Sequence, residues 1–108
     1  MTDEITTNEM DTAISLTNED GVPVLRVRSR TNVKSLAGAI TATIKESPHY
    51  VELRAIGDGA IGRAIRASII AKGYLATAGI SLVLDPSYFE TMIDGNERTG
   101  VKMLCGNR

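Results

Sequence analysis

Between residues 55 and 66 the chain reads Ala-Ile-Gly-Asp-Gly-Ala-Ile-Gly-Arg-Ala-Ile-Arg. Gly57, Gly59 and Gly62 fit the pattern G-x-G-x-x-G, and Arg63 and Arg66 follow, three apart and on one helix face. A glycine turn opening a helix offers backbone N–H groups and the positive end of the helix dipole to an anion. The anion could be a dinucleotide or a nucleic-acid phosphate. Asp85, 23 residues beyond Gly62 and at the end of the next predicted strand, stands where a ribose-binding acid would. Against a dinucleotide, the chain has too few strands, no room for a substrate domain, and a negative Asp58 inside the turn. A purely structural turn explains the same residues: Gly57 and Gly59 bend the chain, Asp58 caps, and Gly62 lets the helix lie close on a strand.

Other chemistry has little to draw on. The single histidine, His49, follows Pro48 at a strand start and reads as a surface residue; the single cysteine, Cys105, reads as a small packing residue. One His and one Cys cannot supply the roughly four ligands of a structural zinc site, and no disulfide can form within the chain. No Ser/His/Asp or Cys/His arrangement is readable, so no enzyme activity, metal or cofactor is expected. Asp94, Glu97 and Arg98 fall in one predicted loop and suggest a local ion pair.

The charge is uneven. Residues 1–20 contain six acids and no base, whereas residues 21–108 hold all 12 Lys and Arg against seven acids, a net of +5. A basic body behind an acidic segment suits an anionic partner, although +5 alone also serves solubility. No apolar run approaches the ~20 residues of a membrane span, and the N-terminus lacks an apolar signal core. A cytoplasmic location with no membrane partner is expected.

The elements that must position these residues follow from periodicity. Residues 1–11 are acidic and aperiodic, so disorder is expected in an N-terminal extension covering residues 1–21. Residues 12–17 alternate weakly and could form an extra edge strand, hairpinned through Asn18-Glu19-Asp20-Gly21. Residues 22–29 predict a strand with Leu25 and Val27 on one side and Arg26 and Arg28 on the other, Arg30 in line if it persists. Such an arginine row is either a solvated face or a phosphate-facing stripe. Thr31 or Asn32 can cap a helix to about Glu46, striped by Val33, Leu36, Ile40 and Ile44 and stopped at Ser47-Pro48. Residues 50–56 predict a strand. A second helix runs from about Gly59 to Lys72, with Ile61, Ile65, Ser68 and Ile69 as its apolar stripe and Gly73 at its C-terminal cap. Residues 80–84 predict a third strand, 85–98 a long connection with a tight turn at Asp94-Gly95-Asn96, and 99–105 a fourth strand. The expectation is an α/β chain of the α+β two-layer type, in β-α-β-α-β-β order. Both helices lie on one face of a mixed four-stranded sheet whose other face is open.

Five segments resemble the stage V sporulation protein S family: Pro23-Val24-Leu25-Arg26-Val27, Ser35 to Ile40, Ala55 to Ile61, Ala71-Lys72-Gly73-Tyr74, and Ile93-Asp94-Gly95-Asn96-Glu97-Arg98-Thr99. The resemblance spans about residues 23–108, and residues 22–108 are expected to form a single domain. It implies an Alba-like fold and a non-enzymatic bacterial regulator, tied by its family name to sporulation, that binds DNA or RNA as a homodimer. It also implies that Arg28, Arg30 and Lys34, then Gly57, Gly59, Arg63 and Arg66, then Arg98, face the nucleic acid. The last loop carries Glu90, Asp94 and Glu97 beside Arg98, unlike a basic arm tracking a groove. Two other functions stay open: a protein-interaction module or oligomer binding no nucleic acid, with the acidic N-terminal segment as a possible partner site, and nucleotide binding at the Gly57–Gly62 turn.

Overall fold

The computed structural model describes residues 14–108. The predicted disorder of residues 1–11 lies outside them. The order is β1 (Ile14–Thr17), β2 (Pro23–Val27), α1 (Val33–Ile44), β3 (Tyr50–Ala55), α2 (Asp58–Ala76), β4 (Leu82–Ile93) and β5 (Asn96–Asn107). The strands form one mixed sheet in the order β1-β2-β3-β5-β4, with β2 and β3 parallel and the other neighbours antiparallel. Both helices cover one face, an α+β two-layer arrangement. The β-α-β-α-β-β core has β1 as its extra edge strand. The Asn18–Gly21 turn closes the first hairpin: Gly21 N–H donates to the Asn18 carbonyl, and Gly21 takes φ +81°.

Alternation fixes which side of each strand faces the helices. Leu25, Val27, Val51, Leu53, Ala55, Met103 and Cys105 enter one core cluster, while Arg26, Arg54, Lys102 and Leu104 point to the open face. Asn32 caps α1, its side chain accepting the Ser35 N–H at 2.8 Å. Leu36, Ile40 and Ile44 are buried as their spacing predicts. Each contributes about 1.5–3 kcal/mol of hydrophobic stabilisation.

Helix α2 departs from the sequence expectation. It extends to Ala76, so Gly73 lies inside it. The end is closed instead by Gly79, at φ +79°, with Gly79 N–H bonded to the Ala76 carbonyl and Ile80 N–H to the Leu75 carbonyl. Its start is also different: Gly57 is the cap residue, without a side-chain capping bond, and Asp58 is the first helical residue. The buried face is Ala60, Ala64, Ala67, Ser68, Ala71 and Leu75, whereas Ile65 and Ile69 are 45% and 62% exposed. The predicted isoleucine stripe thus points outward, with only Ile61 partly packed on the core. The helix lies close against α1 and the sheet, where methyl-sized side chains fit and isoleucine would collide. Gly62 borders open space and not a strand, contrary to its expected packing role.

The second departure is the predicted 85–98 connection. Residues 82–107 form one long antiparallel hairpin, paired from Leu82↔Asn107 to Ile93↔Asn96. Asp94 (φ 52°) and Gly95 (φ 79°) make its two-residue turn. Pro86 misled the sequence reading; β4 is an edge strand, where a missing N–H breaks no ladder.

These two faces of α2 should respond oppositely to substitution. Ala64→Leu is expected to cost about 1–3 kcal/mol by overpacking. Ile69→Ser should shift stability by no more than about 0.5 kcal/mol. Urea denaturation of both variants checks the assignment; a larger loss for Ile69→Ser would reverse it.

Candidate functional site

The C-terminal ends of the parallel strands β2 and β3 lead directly into the N-termini of α1 and α2. The residues singled out by the sequence gather at this end. Arg28 and Arg30 lie on the β2–α1 loop, Lys34 in the first turn of α1, Gly57 and Gly59 at the start of α2, and Arg63 and Arg66 one and two turns further on. Arg98 reaches the same end from another direction. Ala55, the last residue of β3, pairs with Val101, so residues before 100 on β5 and after 89 on β4 rise beyond the body of the sheet as an arm. Arg98 sits on that arm opposite Thr91.

The loop holding Arg28 and Arg30 is braced rather than loose. Thr31 is buried; its Oγ1 accepts the Arg28 N–H at 2.8 Å, and its own N–H donates to the Arg28 carbonyl at 3.1 Å. Arg63 reaches across from α2, Nε donating to the Ser29 carbonyl at 2.6 Å and Nη1 to the Thr31 carbonyl at 3.1 Å. Gly59 borders the same loop, where a Cβ would stand 3.5 Å from Ser29 Cβ, an ordinary contact distance. Arg63 therefore holds the loop in place with two of its five N–H donors, and its positive charge stays at the site. Arg30, Lys34, Arg66 and Arg98 are exposed, with no hydrogen-bond or ion-pair partner among the described residues. Gly57 takes φ +92° and ψ 153°, a conformation nearly confined to glycine. With no side chain capping α2, its first-turn N–H groups at this end are left for solvent or a ligand.

Asp85 is not near the glycine turn. It lies inside β4, opposite Leu104, which in turn faces Glu52 of β3. It is thus two strands away from β3 and level with a residue five positions before Gly57. The predicted dinucleotide fingerprint required Asp85 to end a strand beside the turn, and that geometry is not met.

Sequence reading missed the charge pattern of the open face. Register places Arg26 beside Arg54 and Arg54 beside Lys102, three cations in a row across β2, β3 and β5. Glu52 is the acid among them. It is buried, pairs with Arg54, and accepts from Asn18 Nδ2 at 2.9 Å. Burial alone would raise its pKa, but the bonds from Asn18 and Arg54 and the charges of Arg54 and Lys102 outweigh this and hold it below its ordinary value. Arg54 also lies 5.5 Å from the centroid of the Phe89 ring. The alternation of Arg26, Arg54 and Lys102 was visible in the sequence; which of them stand side by side was not.

His49 Nδ1 lies 3.0 Å from the Ile44 carbonyl, and burial pushes the Cys105 thiol up to about 12. The expected Asp94–Glu97–Arg98 ion pair does not form. No group of three metal-ligating side chains occurs among the described residues, and no helix there is long and apolar enough to cross a membrane.

A family comparison matches residues 23–108 to Stage V sporulation protein S (SpoVS). The chain belongs to this family. Membership supports a regulatory part in sporulation. The match begins at β2, so β1 and the Asn18 turn lie outside the family segment, although Asn18 bonds to Glu52 inside it.

The lowered pKa of Glu52 sets a direction for acid stability. The pair contributes fully above the ordinary value of 4.5, and its contribution is lost as pH falls through the lower folded value. Glu52→Gln should flatten that limb of the stability–pH curve. Thermal denaturation between neutral and acidic pH checks this, and an unchanged slope would remove Glu52 from the account.

Proposed function

We propose that this chain is a non-enzymatic regulator that binds DNA or RNA through phosphates at the strand-end surface. The observation that carries the reading is convergence. Arg28, Arg30, Lys34 and Arg66, the uncapped start of α2 and Arg98 on the arm all belong to one end of the sheet. Guanidinium and backbone N–H groups suit phosphate oxygens, and contacts of this kind carry little sequence information. Arg63 acts by fixing the β2–α1 loop, and Gly57 and Gly59 by letting the backbone come close. The one thiol is buried, and burial holds it in the protonated form, which suits a packing role. The implied Alba-like dimer, acting in the cytoplasm, fits the same picture; Ile65 and Ile69 on the outer side of α2 offer an apolar face to a second copy.

A protein-interaction oligomer is the second reading, and the same isoleucines favour it. Binding experiments separate the two. In the first reading, affinity falls steeply with salt, each neutralised phosphate adding about 0.9 to the slope on duplex DNA. Arg66→Ala should weaken binding and reduce the slope by about 1. Removing residues 1–12 deletes Asp3, Glu4, Glu9 and Asp11 while keeping β1, and should tighten binding by relieving competition with phosphate. Absence of binding by either form at low salt would give the second reading precedence.

A further inference from the structure

The arm of the β4–β5 hairpin and the end of β2 enclose a cleft of about 420 Å³ on the open face of the sheet, distinct from the helix side. Arg26, Arg28 and Arg54 line one part; Ile56, Phe89 and Ile93 line another. No Asp or Glu lines it. The charge of Arg26 is not balanced locally. Glu52 serves Arg54, while Arg26, exposed and opposite Arg54, has no partner among the described residues. Like charges directly across strands repel, so an anion beside Arg26 relieves a cost already present in the sheet.

The apolar part is equally specific. Phe89 stands opposite Gly100, and a Cβ at Gly100 would fall 2.6 Å from the ring, so the ring lies on the β5 backbone at this position. Gly100 is what makes room for it, and the ring is held before any ligand arrives. Ile93, on the same strand face as Phe89, extends the apolar wall along the arm.

We infer that this cleft seats one unpaired nucleotide of a single-stranded nucleic acid, its phosphate on Arg26 and Arg28 and its base against Phe89 and Ile93. The inference rests on the nucleic-acid reading above and adds to it a preference for single strands. A duplex keeps its bases stacked and paired, and presents phosphate and sugar to a surface. It would satisfy the arginines and leave the apolar wall empty. An unstacked base has a planar apolar face for that wall, and a cleft of this volume is within the range that small ligands occupy.

The test uses the full chain, a short single-stranded oligonucleotide carrying an internal 2-aminopurine, and a duplex of the same sequence. Arg26→Gln removes the unpaired charge without touching the core. Phe89→Leu keeps apolar cover over Gly100 and removes the stacking surface. Each should weaken single-strand binding by about tenfold and change duplex binding by less than about twofold. The 2-aminopurine fluorescence change on binding should disappear in Phe89→Leu. If both variants bind the single strand as well as the parent while Arg66→Ala binds less well, the cleft is not the site and the phosphate-binding reading stands. If the parent protein binds neither probe at low salt, both fail together.

Discussion

Helix α2 can lie against α1 and the sheet only because the side it buries is made of small residues. Ala60, Ala64, Ala67 and Ala71 let its backbone come close, and Leu75 anchors the far end. The parallel strands β2 and β3 bring the starts of both helices to one end of the sheet, and that close approach packs the helices side by side. It also sets Arg63 within reach of the Ser29 and Thr31 carbonyls. A larger side chain on this face would move the helix, and the β2–α1 loop with its arginines would lose its brace. The exposed isoleucines follow from the same constraint: the inner face has no room for them.

Two positively charged regions result, and they are held differently. At the strand ends, backbone geometry and Arg63 fix a loop, while Arg30 on the loop, Lys34 on α1 and Arg66 on α2 extend into solvent. On the open face, sheet register forces Arg26, Arg54 and Lys102 into a row, and one buried carboxylate offsets part of their charge. Glu52 is held from both sides, by Arg54 within its own strand and by Asn18 from the first turn. Asn18 also accepts the N–H groups of Asp20 and Val22, so one side chain closes the hairpin and orients the acid. Strand β1 and its turn are thus joined electrostatically to the family segment that follows.

The long hairpin gives the sheet its arm. Because β4 is an edge strand, Pro86 does not interrupt it, and Asp94-Gly95 turns the chain well beyond the body of the sheet. This converts a flat open face into a cleft with a wall. It also carries Arg98 to the same end as the helix starts.

Short-range signals in the sequence determined most of the elements. Asn32 before an apolar stripe set the start of α1, Asn18 to Gly21 set the first turn, and Asp94-Gly95 set the second. Strand alternation separated Leu25, Val27, Met103 and Cys105 from Arg26 and Lys102, because side-chain direction has a period of two whatever the partner strand. The family resemblance, carried by local motifs, was legible for the same reason. Tertiary structure decided the rest. Hydrophobic strength favoured the isoleucines of α2, but packing distance chose the alanines. Proline at 86 marked a strand end until the edge position of β4 made it harmless. Asp85 resembled a ribose-binding acid by spacing, yet the insertion of β5 between β3 and β4 put it two strands away. The adjacency of Arg26, Arg54 and Lys102 required the register of three strands distant in sequence, which no local pattern encodes.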